Sequence, residues 1–225
     1  MPRGPVEQAD AAGPYLRDRA GEPPGRGLGY RRYPEIVDAT ARAGARRLPP
    51  GSHGIPADVV ALNQRERLIA AMAEVCAEEG YAGASVEKVA KRAGVSSVTF
   101  YKQFADRHDC MLAAHGELSG RLLEGVDGAR GGATDKVRAT LASLLALLAG
   151  DPPSARLLTV EILAAGPEGS RRHDAMVAAL AERIGAGWIP VAGALALIGG
   201  RVIAGEAERL PELEDELVVA LSLRS

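Results

Sequence analysis

SVEKVAKRAGVSSVTFYKQF, residues 85–104, holds two short helical patterns set back to back around one glycine. Ser85 is placed to cap the first, its hydroxyl accepting from an amide that a helix start leaves unpaired. Val86, Val89, Ala90 and Ala93 recur at i, i+3, i+4 and i+7, one apolar face of a two-turn helix. Gly94 supplies the left-handed residue that ends a helix cheaply. Val95 is an apolar plug, and Ser96 caps the next helix. There Phe100 and Phe104, four apart, turn inward together and leave Ser97, Val98, Tyr101 and Lys102 outward. A capped helix, a glycine turn and a second capped helix with polar and aromatic outer positions form the pattern of a helix-turn-helix. An αα-hairpin inside a helical core has the same local spacing, so this stretch alone leaves both readings open.

Composition bounds the class. Hydrophobic residues make up 47% and charged residues 25%, the balance of a globular chain with a real core. Aromatics are only 4%, and runs of alternating Val, Ile and Thr are missing, which predicts an all-α fold. The net charge of -2 excludes a general polyanion binder. Its distribution is uneven: residues 1–57 carry nine basic groups against six acidic, 58–110 seven against eight, and 111–225 eleven against fifteen. Positive charge leans to the N-terminal side, as in a molecule that turns one end towards a polyanion. Cys76 and Cys110 lack CxxC spacing, which argues against a zinc ribbon or a disulfide scaffold. No apolar leader opens the chain, and the apolar run at 188–200 is shorter than a bilayer-spanning helix. The expectation is a cytoplasmic protein with no membrane partner.

Residues 1–57 read as a Pro-, Gly- and Arg-rich extension, in part disordered or loosely docked, with a short helix opening at Pro34. Its Arg31, Arg32, Arg42, Arg46 and Arg47 suit an arm lying along DNA; a solvated tail fits the same composition. Residues 58–105 are expected to form a three-helix DNA-binding domain. Its first helix spans 58–79, with Leu62, Ile69, Met72, Ala73 and Cys76 inward. Asp106 caps a long fourth helix running to Val126, with Asp109 reaching back as in a capping box. Residues 106–225 read as a larger helical domain for effector binding and dimerisation. Thr134 caps one helix that stops at Asp151, and further helices are expected at 154–165, 167–185, 190–209 and 212–223.

Across the first three helices, Gly80-Tyr81, Ser85-Val86, Val89-Ala90, Ala93-Gly94-Val95-Ser96, Thr99-Phe100-Tyr101 and Phe104 resemble the DNA-binding domain of the TetR family of bacterial transcriptional regulators. The resemblance covers residues 63 to 112, and its motif, G-Y-x-x-x-S-V-x-x-V-A-x-x-A-G-V-S-x-x-T-F-Y-x-x-F, is long and specific. It implies an all-α homodimer that puts the third helix of each subunit into the major groove of double-stranded operator DNA. It also implies a small effector bound between helices of the larger domain, which changes the spacing of the two DNA-binding domains. On that reading the protein is a ligand-responsive regulator without a cofactor, a repressor released from its operator by a small hydrophobic or amphipathic effector. One departure matters. Many members carry a basic residue directly after the serine that matches Ser96, where this chain has Ser97 and Val98. Arginine on guanine is the commonest specific contact, and this helix offers none. The expected DNA-contacting residues are Ser85, Ser96, Ser97, Val98, Thr99, Tyr101, Lys102 and Arg107, with Lys102 on a phosphate. Helix-start amides after Ser85 and Asp106 also suit phosphates.

The C-terminal half carries no family motif. Ala192, Ala196, Gly200 and Ala204 recur every four residues beside Leu195, Gly199 and Ile203, a ridge of small side chains that lets another helix approach closely. The expectation is a four-helix interface across a two-fold axis, formed by Ala192, Ala196, Gly200, Ile203, Leu217 and Leu221; an internal core contact fits the same ridge. Candidates for the effector pocket are Met111, His115, Leu144, Leu158, Ile162, Met176 and Trp188. His53, His108, His115 and His173 lack metal-ligand spacing, so no metal is expected. No G-x-S-x-G, Walker loop or H-E-x-x-H occurs, so neither is an enzyme. The competing readings are a helical module for a protein partner and a small-molecule enzyme.

Deleting residues 1–47 is expected to lower DNA affinity mainly at low salt, read by titrating labelled duplex DNA at two ionic strengths. Affinity unchanged by the deletion would leave the tail without that role.

Overall fold

Residues 57–127 and 133–222 are described by the computed structural model, and helices account for nearly all of them. In order they are α1 (Ala57–Gly83), α2 (Val86–Ala93), α3 (Ser97–Gln103), α4 (Arg107–Val126), α5 (Ala133–Gly150), α6 (Pro152–Thr159), α7 (Gly166–Ile184), α8 (Trp188–Ile203) and α9 (Glu214–Ser222). Two 3-10 segments intervene, Glu161–Ala165 before α7 and Ala207–Leu213 before α9. The N-terminal arm, the helix opening at Pro34, His53 and the Thr134 side chain lie outside the described residues. Residues 64–225 gather into one compact unit, and the first turns of α1 up to Asn63 belong to another.

The local signals in the opening stretch act as the sequence implies. The Ser85 hydroxyl accepts from the Lys88 amide at 3.3 Å, and Gly94 takes the left-handed conformation at φ 63° and ψ 37°. The Ser96 hydroxyl accepts from the Thr99 amide at 3.1 Å. At the start of α4, Asp106 accepts from the Asp109 amide at 2.8 Å. The Asp109 carboxylate reaches back to the Ala105 amide at 2.9 Å, one residue beyond the capping-box partner.

The helix expected to stop at residue 79 is interrupted there. It breaks at Gly80, where φ 71° and ψ 163° lie in a region essentially reserved for glycine, and helical bonding resumes to Gly83. The helix expected over 154–165 is divided. Asp151 caps α6 by accepting from the Ser154 amide at 3.2 Å, and Val160 leaves the helical region at φ -126°, so that Glu161 opens a tighter 3-10 turn. The helix expected over 190–209 ends at Ile203, and a second 3-10 segment follows.

One buried cluster runs from Leu68, Met72 and Phe100 through Met111 to Leu145, Leu157, Ile162, Leu180 and Leu195. α4 threads it. Its Cys110 and Met111 lie among the first three helices' apolar residues, and Leu118, Leu122 and Val126 continue the same stripe towards α5 and α7. Among the described residues no single helix is long and apolar enough to cross a membrane.

Candidate nucleic-acid interface and effector cavity

α3 presents its outward face on two buried rings. Phe100 is fully buried and Phe104 is 3% exposed, with ring centroids 5.6 Å apart. Each such side chain contributes roughly 1.5–3 kcal/mol of burial, enough to fix a helix of 7 residues that would not persist alone. With those rings inward, Ser97, Val98, Tyr101 and Lys102 are exposed, Val98 at 68% and Tyr101 at 60%. Thr99 is half-buried, and its hydroxyl lies 3.0 Å from that of Ser96. An exposed valine and tyrosine next to hydroxyls and a lysine can make methyl, ring and hydroxyl contacts to base edges.

Two arginines of α1 secure the helix ends. Arg65 sits over the Phe104 ring at 4.6 Å and donates to the Gln103 carbonyl at 3.4 Å, placing a cation at the C-terminus of α3. Arg67 donates to the carbonyls of Ala93 and Gly94, at the turn between α2 and α3. Much of the basic charge nearby is already spoken for. Arg92 pairs with Glu74 and Glu78, and its guanidinium holds the Glu78 carboxyl below its usual range. Lys88 pairs with Glu79 and donates to the Gly83 carbonyl.

Arg107, expected to contact DNA, is engaged inside the protein. Its guanidinium lies over the Tyr81 ring at 4.9 Å and donates to the carbonyls of Tyr81, Ala82 and Ala84. It braces the loop that delivers Ser85. Lys91, in the last turn of α2, is exposed and falls at a position the motif leaves open.

A cavity of about 250 Å³ opens between His115, Gly116, Ser119 and Leu123 of α4 and Arg172, Ala175 and Met176 of α7. Of the expected pocket residues only His115 and Met176 line it. Met111, Leu144, Leu158 and Ile162 are buried in the close-packed core, and Trp188 is 46% exposed at the start of α8. Ser119 and Arg172 are polar members that apolar periodicity could not mark. His115 is fully buried, and its Nε2 has no hydrogen-bond partner among the described residues. Burial, reinforced by the neighbouring His173 and Arg172, pushes its pKa down to about 4, so the ring is neutral at physiological pH. Arg172 donates to Glu168 at 3.2 Å and to the Leu112 carbonyl at 3.4 Å, keeping its head beside the cavity.

The small-residue ridge of α8 is split by packing. Leu195 and Gly199 are buried, Gly199 lying against Thr159 and Val160, whereas Ala196, Gly200 and Ile203 face outward beside exposed Ile189 and Leu197. Ala192 is half-buried. Leu217 and Leu221 are buried within the subunit's own core on α9, which packs on α5, and so have no surface left to offer a second copy.

Residues 68–114 match the family described as bacterial regulatory proteins, tetR family. A fatty acid metabolism regulator protein of Bacillus subtilis (strain 168) is 31% identical over 99 residues, 43% of this chain. The chain spans 51% of that curated relative's length. Among solved structures, the transcriptional regulator FadR of Bacillus subtilis in complex with stearoyl-CoA superposes with a TM-score of 0.60 at 21% identity, covering 71% of this chain and 98% of that one. The fatty acid degradation regulator FadR of Bacillus halodurans gives 0.56 at 21% identity, over 72% of this chain and 96% of that one. Likenesses at such identities establish the fold.

The buried ring of His115 carries a pH signature. Unfolded, it binds a proton near its ordinary value of 6.5; folded, it does so only near 4. The unfolded state therefore holds more protons in that window, and acidification through it costs stability, up to about 3 kcal/mol. Denaturant melts of wild type and His115→Gln are expected to diverge between these two pH values, the wild type losing more. A difference independent of pH would refute a neutral buried ring.

Proposed function

We propose that this chain is a cytoplasmic, ligand-responsive transcriptional repressor of the TetR family that binds operator DNA as a homodimer. The observation that carries this reading is α3 itself, a doubly capped helix seated on Phe100 and Phe104 with Ser97, Val98, Tyr101 and Lys102 presented outward. Residues 58–105 serve as the DNA-binding domain and 106–225 as the effector-binding and dimerisation domain. Ser85 and Ser96 act on DNA through the caps they form, Thr99 supplies the amide that Ser96 caps, and Arg107 acts by holding the loop ahead of Ser85. Lys102, joined by Lys91, meets phosphates. The outward ridge of Ala196, Gly200 and Ile203, flanked by Ile189 and Leu197, is the dimer contact.

For the effector we propose an amphipathic anion. The stearoyl-CoA bound to the structural relative is one such molecule. In this chain Arg172 supplies the cation and Leu123, Ala175 and Met176 supply apolar wall, while His115 supplies a neutral ring to a polar group near the head.

A mobility-shift titration on duplex DNA from upstream of the chain's own coding sequence tests the reading. A specific complex is expected, dissociating on addition of stearoyl-CoA. Lys102→Ala should weaken binding across sequences and lower the salt slope by about one. Absence of a specific complex at low salt sinks the regulator. For the dimer contact, Gly200→Leu is expected to shift a sizing profile towards monomer, and an unshifted dimer places the interface elsewhere.

A further inference from the structure

The carboxylate of Glu161 lies neither on the DNA-facing surface nor in the lining of the cavity, yet it is 7% exposed. A buried carboxylate persists only where it is paired and hydrogen-bonded. One oxygen of Glu161 meets Arg156 Nε at 2.9 Å. The other accepts the backbone N–H of Tyr81 at 2.7 Å, a bond between residues 80 apart in sequence. That amide is available because α1 breaks at Gly80, which releases the Tyr81 N–H from the helical ladder.

Each end of this bond leads somewhere. From Tyr81 the contacts run to the start of α4 and to the loop ahead of α2. The Tyr81 hydroxyl is 3.2 Å from His108 Nδ1. Arg107 lies over the ring and holds the carbonyls of Tyr81, Ala82 and Ala84, the last at 2.7 Å, next to the Ser85 cap of α2. From Glu161 the contacts run towards the cavity. A Cβ on Gly169 of α7 would stand 2.1 Å from the carbonyl oxygen of Ile162, the residue after Glu161. α7 therefore rests directly on the 3-10 turn, with no side chain between them to absorb a shift. One and two turns further along α7, Arg172, Ala175 and Met176 form the cavity wall.

We propose that Glu161 is the positioning residue through which a change at the α4–α7 cavity wall alters the pose of the helix-turn-helix. The proposal rests on the regulator reading above. When α7 moves, the 3-10 turn moves with it, because Gly169 and Ile162 are in backbone contact. The Glu161 carboxylate then either keeps or loses the Tyr81 amide, and with that amide goes the anchoring of the loop that carries Ser85. The magnitudes agree. A hydrogen bond to a charged acceptor is worth roughly a ten- to hundredfold change in an equilibrium, and allosteric coupling between two sites is commonly about five- to 150-fold. One such bond is sufficient to carry the coupling.

Coupling is reciprocal, so DNA alone suffices as the probe. Hydrogen exchange read by mass spectrometry on the full chain, with and without duplex DNA from upstream of its own coding sequence, tests the latch. In the wild type, DNA is expected to slow exchange over 85–104 and also to alter it over 161–176. In Glu161→Gln, whose amide cannot serve both Arg156 and the Tyr81 N–H as acceptor, exchange over 81–85 without DNA should rise about tenfold. The DNA-induced change over 161–176 should fall at least about fivefold, while protection over 85–104 is retained. Glu161→Asp, which keeps the charge and withdraws it by one methylene, is the second variant should the first fail to fold, and the same loss is expected. A response over 161–176 that survives in a folded variant overturns the latch. So does a wild type protected over 85–104 that shows no change over 161–176, an outcome that leaves the regulator reading standing. No protection over 85–104 in the wild type sinks the regulator reading and the latch together.

Discussion

Two phenyl rings four residues apart set the direction of everything α3 presents. A helix of 7 residues pays the cost of nucleation and gains few hydrogen bonds in return. Its orientation is therefore borrowed from the site that Phe100 and Phe104 occupy. Arg65 joins that site by covering the Phe104 ring, holding the Gln103 carbonyl and pairing with Glu117 of α4 at 2.8 Å. Loosening this seat would turn Val98 and Tyr101 away from a groove even if both side chains were untouched. The chemistry of the surface and the packing behind it are one problem.

The surface itself is economical with charge. Arg92 and Lys88 are tied back to glutamates of α1, and Arg107 is spent on backbone carbonyls. On the proposed function, recognition leans on hydroxyls, a methyl-bearing side chain and an aromatic ring, which discriminate bases by contact and shape more than by bidentate pairing. The cavity shows the opposite arrangement, with an arginine at the edge of an apolar wall and a histidine kept neutral by burial.

What could be read in the sequence was what acts over a few residues. Ser85, Gly94, Ser96 and Asp106 are cap or turn residues whose role depends on their immediate neighbours, and all four take it in the structure. The inward pair Phe100 and Phe104 follows from a four-residue spacing. Partners distant in the chain were not legible in this way. Nothing near Glu161 announces that its carboxylate will find an amide at Tyr81, and nothing near Arg107 says that three carbonyls will claim it. Periodicity marks an apolar residue as inward but not whether it meets a neighbour or a cavity. Leu144, Leu158 and Ile162 are therefore core, and Ser119 and Arg172 line the space. The same limit applies to Leu217, inward towards its own subunit.

The two cysteines illustrate what such a core implies for chemistry. Cys76 and Cys110 are both free and fully buried, Cys76 with its sulfur 3.6 Å from that of Met72. Burial pushes the Cys76 thiol up to about 12, with the Glu161 carboxylate adding to the effect, and burial raises the Cys110 thiol as well. The thiolate is the reactive form of sulfur, so neither side chain is available to an oxidant or an alkylating reagent while the helices stay packed. Their modification requires the protein to open before an oxidant or reagent can reach the sulfur. Each sulfur is thus a built-in clock for how often the packing between α1 and α4 comes apart.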